Sequence, residues 1–436
     1  MEGDNQMSIN VPRGTKDILP EEMFKWHALE ELVRDTCRLY QYKEIRTPIF
    51  EHTELFTRGV GDTTDIVQKE MYTFTDRGDR SLTLRPEGTA SVVRSYVENK
   101  LFGLPNQPIK LYYMGPMFRY ERQQAGRYRQ FVQFGIEAIG SKDPAIDAEV
   151  MALAMKVYQK AGLQKVKLVI NSLGDTESRQ AHRDALIAHF EPHIQEFCSD
   201  CQNRLEKNPL RILDCKRDRE NPLMSTAPKL PDYLNEESAA YFEKVKHYLE
   251  VLKIGYEVDP NLVRGLDYYN HTAFEIMSEG EGFGAITTLA GGGRYNGLVE
   301  DLGGPEAPGI GFAMSMERLF LALEAEGKSF DNQESLDMYV VSMGESAKDK
   351  ALSFVSELRE HNMAVEMDFL DRKVKAQMKS ADRLQAKYVV VIGDTELETG
   401  KVALKNLSTG AQKEMTFEEI VENVEQLKLS WQEELA

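Results

Sequence analysis

The 436-residue chain has only four cysteines, Cys37, Cys198, Cys201 and Cys215, and two tryptophans. Four thiols in a chain of this length are too few for a disulfide framework, which points to a reducing compartment. No uncharged apolar run approaches the ~18 residues needed to cross a bilayer. The first residues, MEGDNQMSIN, are acidic and polar, where a secretory leader is basic and then apolar. The expectation is a soluble cytoplasmic protein that makes no use of a membrane. Positive charge is scarce too: Lys plus Arg number 53 against 71 Asp plus Glu, a net charge of −18. Coating of nucleic acid through bulk charge is excluded, and any such contact must use local basic patches. Two phosphate-binding loops are also missing. No G-x-x-x-x-G-K-[ST] occurs, and the glycine run at 291–297 carries Asn296 where G-x-G-x-x-G needs its third glycine.

What is present is an ordinary globular balance, 42% hydrophobic and 28% charged, with length for two or three cores. Met23, Trp26, Leu29, Leu32, Val33, Cys37 and Leu39 recur at helical spacing before YKEIRTPIFEH turns extended. SLTLRPEGTA reads as a strand that stops at Pro86, with Gly88 opening a helix over Ala90 to Lys100. KLYYMGPMFRYERQQAGRYRQFVQFGIEAIG has two β-prone aromatic runs around a polar loop, the pattern of a long antiparallel hairpin. After the strand KVKLVINSLG, about 176–258 reads as a mainly helical insertion. TAFEIMS, AITTLAGGGRYNGLV and PGIGFAMSMERLFLALEAEG return to strands and a final helix. This is an α+β domain with an antiparallel sheet over 1–328. The polar stretch 329–335 is the expected linker. From 336 to 436 strands and helices alternate, with Gly410 in a late hairpin turn, as in a smaller α/β domain with a mainly parallel sheet.

Three groups of residues could carry chemistry. On the hairpin, Arg119 and Glu121 share one face of the first strand, and Arg129, Phe131, Gln133, Gly135 and Glu137 share one face of the second. Charge alone leaves two readings open: a solvated face with ion pairs, or a polyanion site in which arginines take phosphate oxygens and Phe131 stacks on a base. If the anion is a triphosphate, its charge would be met by side chains such as Arg119, Arg264 and Arg318 with Mg²⁺. In LVRGLDYYNHTAFE, Tyr268 and Tyr269 beside Arg264 suit either a pocket for a small polar ring or a Tyr-rich turn closing a core.

Taken together these segments resemble a known family. FRYE with its basic loop and Phe131 resembles motif 2 of the class II aminoacyl-tRNA synthetases. GIGFAMSMER, ending in Arg318, resembles motif 3, and YQYKEIRTPIFE with Pro48 resembles motif 1. RGTKDILPEE, TLRPEGTA, GRYRQF, LVRGLDYYNHTAFE and AGGGRYNGL further resemble histidyl-tRNA synthetases, over almost the whole chain from about residue 11. The resemblance implies a class II catalytic domain followed by an anticodon-binding domain. It implies activation of histidine by ATP, transfer to tRNA(His), and a homodimer built through motif 1. By the same resemblance Glu87, Gly88 and Thr89, helped by Gln133, would hold the histidine α-amino group, and Glu137, Tyr268 and Tyr269 would read the imidazole. Arg119 would bind the α-phosphate and the histidine carboxylate, with Glu121 and Phe131 on adenine. Arg264 would approach the α-phosphate from the other side, so that Arg119 and Arg264 are the catalytic pair. Arg318 would hold the γ-phosphate. The chain departs from the family's usual residues at Gln123, Val132 and Asn296. A non-catalytic relative, the regulatory subunit of an ATP phosphoribosyltransferase, typically lacks the C-terminal domain and several of these residues. A tRNA sensor would have no need of a triphosphate grip.

Within the C-terminal domain, 372–387 holds Arg372, Lys373, Lys375, Lys379, Arg383 and Lys387 against one acid, Asp382. Lys375, Lys379, Arg383 and Lys387 recur at i, i+4 and form one stripe, either a solvated face or a row of phosphate contacts. In a domain that resembles an anticodon-binding domain, Arg372, Lys375, Lys379 and Arg383 are the expected tRNA contacts. Cys198-x-x-Cys201 with Cys215, near His189 and His193, has part of a zinc pattern, but Pro192 disrupts the His spacing and a second C-x-x-C is missing. Buried thiols and no metal are expected there.

Overall fold

Alternation along one strand decides how the first part of the chain is built. In Gln130–Ile139, Phe134, Ile136 and Ala138 join the main apolar core, while Gln133, Gly135 and Glu137 point to the opposite face. The computed structural model that shows this describes residues 9–61, 64–213, 215, 217–280, 288–331 and 336–434. Three sequence expectations therefore lie wholly or partly outside it: the polar start of the chain, 332–335 of the linker, and 285–287 ahead of the glycine-rich strand. The chain divides into two units between Phe330 and Asp331. Among the described residues no helix is long and apolar enough to cross a membrane.

The first unit is organised on an eight-stranded sheet. Its six inner strands run antiparallel in the order Ile109–Phe118, Gln130–Ile139, Gly309–Ser315, Thr288–Arg294, Asn270–Ser278 and Val166–Ser172. Short parallel strands, Lys43–Glu44 and Glu257–Val258, close the two edges. On the core face an aromatic row crosses the strands: Phe274 to Phe312 at 6.4 Å, Phe312 to Phe134 at 5.7 Å and Phe134 to Tyr112 at 6.4 Å between ring centroids. Such edge-to-face pairs add about 0.5–1.5 kcal/mol each beyond the area they bury.

Helices cover that face. Pro20–Leu39 buries Trp26, Leu29, Val33 and Cys37, one stripe at helical spacing. Pro144–Lys160 is buried on most of its circumference because it packs against the sheet, against Pro20–Leu39 and against Glu236–Val251. Asp143 caps its start by accepting from the Ala145 N–H at 2.9 Å. A charged pair is sealed between this helix and the sheet. Asp147 and Arg294, both without solvent exposure, meet through two hydrogen bonds, 2.5 Å to Nη2 and 3.1 Å to Nε. The Thr272 hydroxyl at 2.6 Å and the Tyr241 hydroxyl at 3.1 Å donate to the same carboxylate.

The insertion is shorter than its composition suggests. Helices Thr176–Phe190 and Ser199–Lys207 enclose a separate small core around Leu186, Phe190, Phe197, Leu205 and Ile212. The helix Glu236–Val251, expected to belong with them, instead places Phe242, Val245 and Leu249 in the main core. Lys- and Glu-rich helices look alike in sequence, and only their packing partner separates them. A three-stranded sheet, Phe50–His52, Ser81–Leu84 and Tyr72–Thr75, flanks the hairpin formed by Ile109–Phe118 and Gln130–Ile139. Arg85 ties the two together by donating to the carbonyls of Thr47 and Pro116 at 3.0 and 2.9 Å.

The second unit has a five-stranded sheet in which Val365–Met367, Met338–Ser342 and Tyr388–Ile392 are parallel, and Lys401–Asn406 and Gln412–Thr416 form an antiparallel edge. Alternation again sorts the faces. Met338 and Val340 pack with the helix Glu345–Glu360, while Tyr339 and Val341 pack with Val374–Arg383.

Removing one partner of a sealed pair leaves the other charge buried alone, at a cost of about 3–5 kcal/mol. Asp147→Ala should lower the thermal midpoint of the first unit by that measure. The double variant Asp147→Ala, Arg294→Met should recover part of the loss, and equal loss in both would show that the pair is not the stabilising element.

Candidate active site

The polar face of the sheet carries the groups singled out in the sequence. At its centre lies Glu137, fully buried, whose carboxylate accepts from the Thr89 hydroxyl at 2.7 Å and the Tyr295 hydroxyl at 2.6 Å. It can lie there because residue 311 on the neighbouring strand is glycine: a Cβ at Gly311 would fall 2.0 Å from a carboxylate oxygen of Glu137. Burial pushes this carboxyl up to about 8; the Tyr295 and Thr89 hydrogen bonds oppose the rise, and the neighbouring Glu87 adds to it. Thr89 opens the helix Thr89–Glu98, with Gly88 as its N-cap residue. Glu87 supplies the cap, its two oxygens accepting from the backbone N–H of Thr89 at 2.7 Å and Ala90 at 2.8 Å. Burial raises its pKa, while those N–H bonds and the charge of Arg119 counter it.

Tyrosines surround the two carboxyls. Tyr268 and Tyr269 sit 4.6 Å apart by ring centroid, and Tyr268 is 5.8 Å from Tyr295. Burial drives the hydroxyls of Tyr113, Tyr268 and Tyr269 upward, and the charges of Glu87 and Glu137 push the same way. All three stay protonated donors at neutral pH. Several buried polar atoms here have no hydrogen-bond partner among the described residues: the Tyr113 and Tyr268 hydroxyls, Gln133 Oε1 and Arg264 Nε. An unsatisfied buried group costs about 1–3 kcal/mol. Four in one neighbourhood mark a place where a polar ligand completes the bonding.

Three arginines approach this floor. Arg119 is held by its Nε–H on the Pro86 carbonyl at 2.8 Å and lies over the Phe131 ring at 5.4 Å. Its contact with Glu121 is loose, 3.8 Å, whereas Glu121 is 3.3 Å from Arg127. Arg318 donates to the carbonyls of Gly126 at 3.1 Å and Thr288 at 2.9 Å and makes no ion pair among the described residues. Burial lowers its pKa, and the nearby charges of Arg127 and Arg119 act in the same direction. Arg264 is different: it is ion-paired with Glu275, which also accepts from the Thr288 hydroxyl at 2.9 Å. Its guanidinium lies flat over the strand at Gly291, where a Cβ would come within 2.2 Å of it. The structure thus gathers Glu87, Gly88, Thr89, Arg119, Glu121, Phe131, Gln133, Glu137, Arg264, Tyr268, Tyr269 and Arg318 in one unit, around the polar face of one sheet.

Sequence reasoning passed over Tyr113, Tyr295 and Glu275. Tyr112 and Tyr113 are adjacent in a β-prone run, so alternation puts them on opposite faces, but only the sheet's packing says which face is the site. Tyr295 directly follows the glycine run, and that adjacency was the available signal.

In the second unit Lys375, Lys379 and Arg383 are exposed along the helix Val374–Arg383. The expected four-residue stripe is corrected at its end. The helix stops at Arg383, Gln385 turns with φ +52, and Lys387 pairs with Asp337 at 2.7 Å. Arg372 precedes the helix and is ion-paired with Asp368.

The shifted carboxyl predicts a pH dependence. Glu137 holds its proton to about pH 8 in the fold, while its ordinary value is 4.5. Between those values the folded state binds the extra proton, so its stability falls as pH rises, by about 1.4 kcal/mol per unit from this group. Glu137→Gln removes that titration and leaves Glu87 in place. The variant's melting temperature relative to the parent should climb from about pH 5 to about pH 8 and then level off; a difference independent of pH would contradict the assignment.

Known proteins resemble this chain along most of its length. The family model described as histidyl-tRNA synthetase matches residues 14–319, and one described as an anticodon binding domain matches 337–427. A Lysinibacillus sphaericus protein named histidine–tRNA ligase is 69% identical, covering 96% of this chain and all of its own length. The Bacillus subtilis protein of that name is 66% identical, over 95% of this chain and 98% of its own. The crystal structure of apo Staphylococcus aureus histidyl-tRNA synthetase superposes with a TM-score of 0.83 at 55% identity, covering 95% of this chain and 99% of that one. On its motifs, its fold and its relatives, this chain belongs to the histidyl-tRNA synthetase family.

Proposed function

We propose that the protein activates L-histidine with ATP to histidyl-adenylate and transfers the histidyl group to the 3′-terminal adenosine of tRNA(His). The observation that carries this reading is the convergence, on the polar face of an antiparallel sheet, of unpartnered polar groups with guanidiniums held by backbone carbonyls. The first suit a small polar amino acid, the second a polyphosphate.

Glu87, with Thr89 and Gln133, takes the α-amino group at the start of the helix Thr89–Glu98. Glu137, Tyr268 and Tyr269 read the imidazole. An imidazole N–H against Glu137 favours its ionised form, so the raised pKa falls when histidine binds. A pocket of buried polar partners rejects side chains that leave those partners unpaired, by a far larger factor than an apolar pocket achieves. Arg119 bridges the α-phosphate and the histidine carboxylate, Phe131 and Glu121 take adenine, and Arg318 takes the γ-phosphate of a bent ATP. Arg264 meets the α-phosphate from the opposite side, with Glu275 keeping its fork flat. Mg²⁺ accompanies the triphosphate.

A histidine carboxylate oxygen attacks the α-phosphorus in line as the bond to pyrophosphate breaks. The tRNA 3′-hydroxyl then attacks the acyl carbon, and AMP leaves. No enzyme nucleophile takes part, so positioning and cationic stabilisation supply the rate. Exposed Lys375, Lys379 and Arg383, with Arg372, contact the tRNA backbone. The active form is a cytoplasmic homodimer. Exposed Ile49, Phe50 and Phe74 near the expected motif 1 support that assembly, Phe50 and Phe74 forming an aromatic pair at 6.4 Å.

Amino-acid-dependent exchange of pyrophosphate into ATP, run across all twenty amino acids, tests the activity: exchange with histidine alone is expected, and none with any amino acid overturns the proposal. Arg264→Ala should lower that exchange by about 10²–10³-fold with an unchanged far-ultraviolet circular dichroism spectrum. Near-normal exchange would remove Arg264 from the chemistry. A monomeric mass by light scattering at micromolar concentration would refute the dimer.

A further inference from the structure

The small core of the insertion contains a cluster that the catalytic reading does not use. Cys198 and Cys201 lie at the start of the helix Ser199–Lys207, Cys198 being its N-cap residue. Cys215 follows the short turn Pro209–Ile212, and Asp218 comes three residues later. In sequence the three cysteines stand without a second C-x-x-C. The structure shows what stands in its place: Cys215-x-x-Asp218, folded against Cys198-x-x-Cys201. The three sulfurs and one carboxylate oxygen all lie within 4.8 Å of one another.

The distances carry chemical information. Cys198 Sγ is 3.7 Å from Cys215 Sγ, and Cys215 Sγ is 3.4 Å from Asp218 Oδ2. Four ligands placed tetrahedrally around Zn²⁺, with bonds of about 2.3 Å to sulfur and about 2.0 Å to oxygen, stand about 3.8 Å apart for two sulfurs and about 3.5 Å apart for sulfur and oxygen. The four cysteines of the chain are free thiols. The carboxylate is already oriented toward the sulfurs, because the Cys198 backbone N–H donates to Asp218 Oδ2 at 3.1 Å, the kind of outer hydrogen bond that fixes a ligand's direction. The two nearby histidines are engaged elsewhere: His189 with the Leu223 carbonyl at 3.0 Å and His193 with Glu196 at 3.1 Å.

We propose that Cys198, Cys201, Cys215 and Asp218 form a closed tetrahedral site for a structural Zn²⁺ ion. Binding exchanges the three thiol protons for metal–sulfur bonds and adds one metal–oxygen bond, leaving no open position for substrate. Its place in the fold explains what such an ion does. The insertion's own apolar core is small, and small cores are commonly stapled by a metal. The ion ties the helix Ser199–Lys207 to the segment after Pro209–Ile212. That turn reaches the loop bearing Arg264: Arg211 donates to the Gly265 carbonyl at 2.5 Å, and the Asn208 amide to Asp267 at 3.1 Å. A metal here braces one wall of the candidate active site without entering it.

The test uses full-length protein purified under reducing conditions without chelator, with metal content measured by plasma mass spectrometry before and after addition of ZnCl₂. One zinc per chain is expected. Cys198→Ser and Cys215→Ser should each lower bound zinc at least tenfold, and Cys37→Ala, whose thiol lies in the main core, should keep it. Replacement by Co²⁺ reads the geometry even if a cysteine variant folds poorly. Intense visible bands with a sulfur-to-cobalt charge-transfer band in the near ultraviolet are expected, and Asp218→Asn should shift the visible bands while its melting curve stays cooperative. Failure to take up zinc stoichiometrically, a weak octahedral cobalt spectrum, a Cys198–Cys215 disulfide in the freshly purified protein, or equal loss of zinc from Cys37→Ala would each overturn the site.

Discussion

The sealed Asp147–Arg294 pair is the contact on which the rest of the first unit depends. A guanidinium and a carboxylate taken wholly out of water must find each other in good geometry, and the Thr272 and Tyr241 hydroxyls complete the carboxylate's hydrogen bonds. The pair joins the helix Pro144–Lys160 to the end of the strand Thr288–Arg294. In a sheet, slipping that strand by one residue would turn every side chain to the other face. The same pair that anchors the helix therefore keeps Gly291 beneath Arg264 and holds the register that leaves Gly311 open for Glu137.

Two opposite electrostatic problems meet on the site face. Glu87 and Glu137 are buried carboxyls, the charge of Glu87 adding to the rise in the pKa of Glu137, and hydroxyls or helix N–H groups hold them. Arg119 and Arg318 are cations fixed by carbonyl oxygens, which orient a guanidinium without neutralising it. The proposed placing of histidine, with its cationic amino group and two ring nitrogens, against the first pair and ATP against the second sets opposite charges together. The arrangement is unfavourable to the empty fold and favourable to the complex, as expected where binding and chemistry are the purpose.

The net charge of −18 acquires a narrower meaning in this setting. It rules out bulk attraction to nucleic acid, while the exposed Lys375, Lys379 and Arg383 present a local row of cations on one helix. Under the proposed role, a polyanion that meets that row in register is held while the acidic body repels phosphate elsewhere, which serves discrimination.

Much of this was legible from the residues. The hairpin pattern around 109–139, the helix–strand alternation beyond 336, and the order of the motifs around Arg119, Arg264 and Arg318 depend on local periodicity and residue type, and these survive in a linear chain. Which face a strand turns to the core depends on packing across the sheet, so Tyr113 could not be told from Tyr112. Nor could the helix Glu236–Val251 be separated from the insertion. Lys387 continued a stripe in sequence but not in space, because the helix ends at Arg383 and Asp337 claims its charge. Asp218 was invisible as a partner of three cysteines, since a carboxylate among many acids has no periodic signal. The sequence by itself determined the domain types, the motifs and the stock of site residues. The tertiary structure decided which carboxylates, hydroxyls and thiols share a space small enough to perturb one another, because burial and distance exist only in the folded chain.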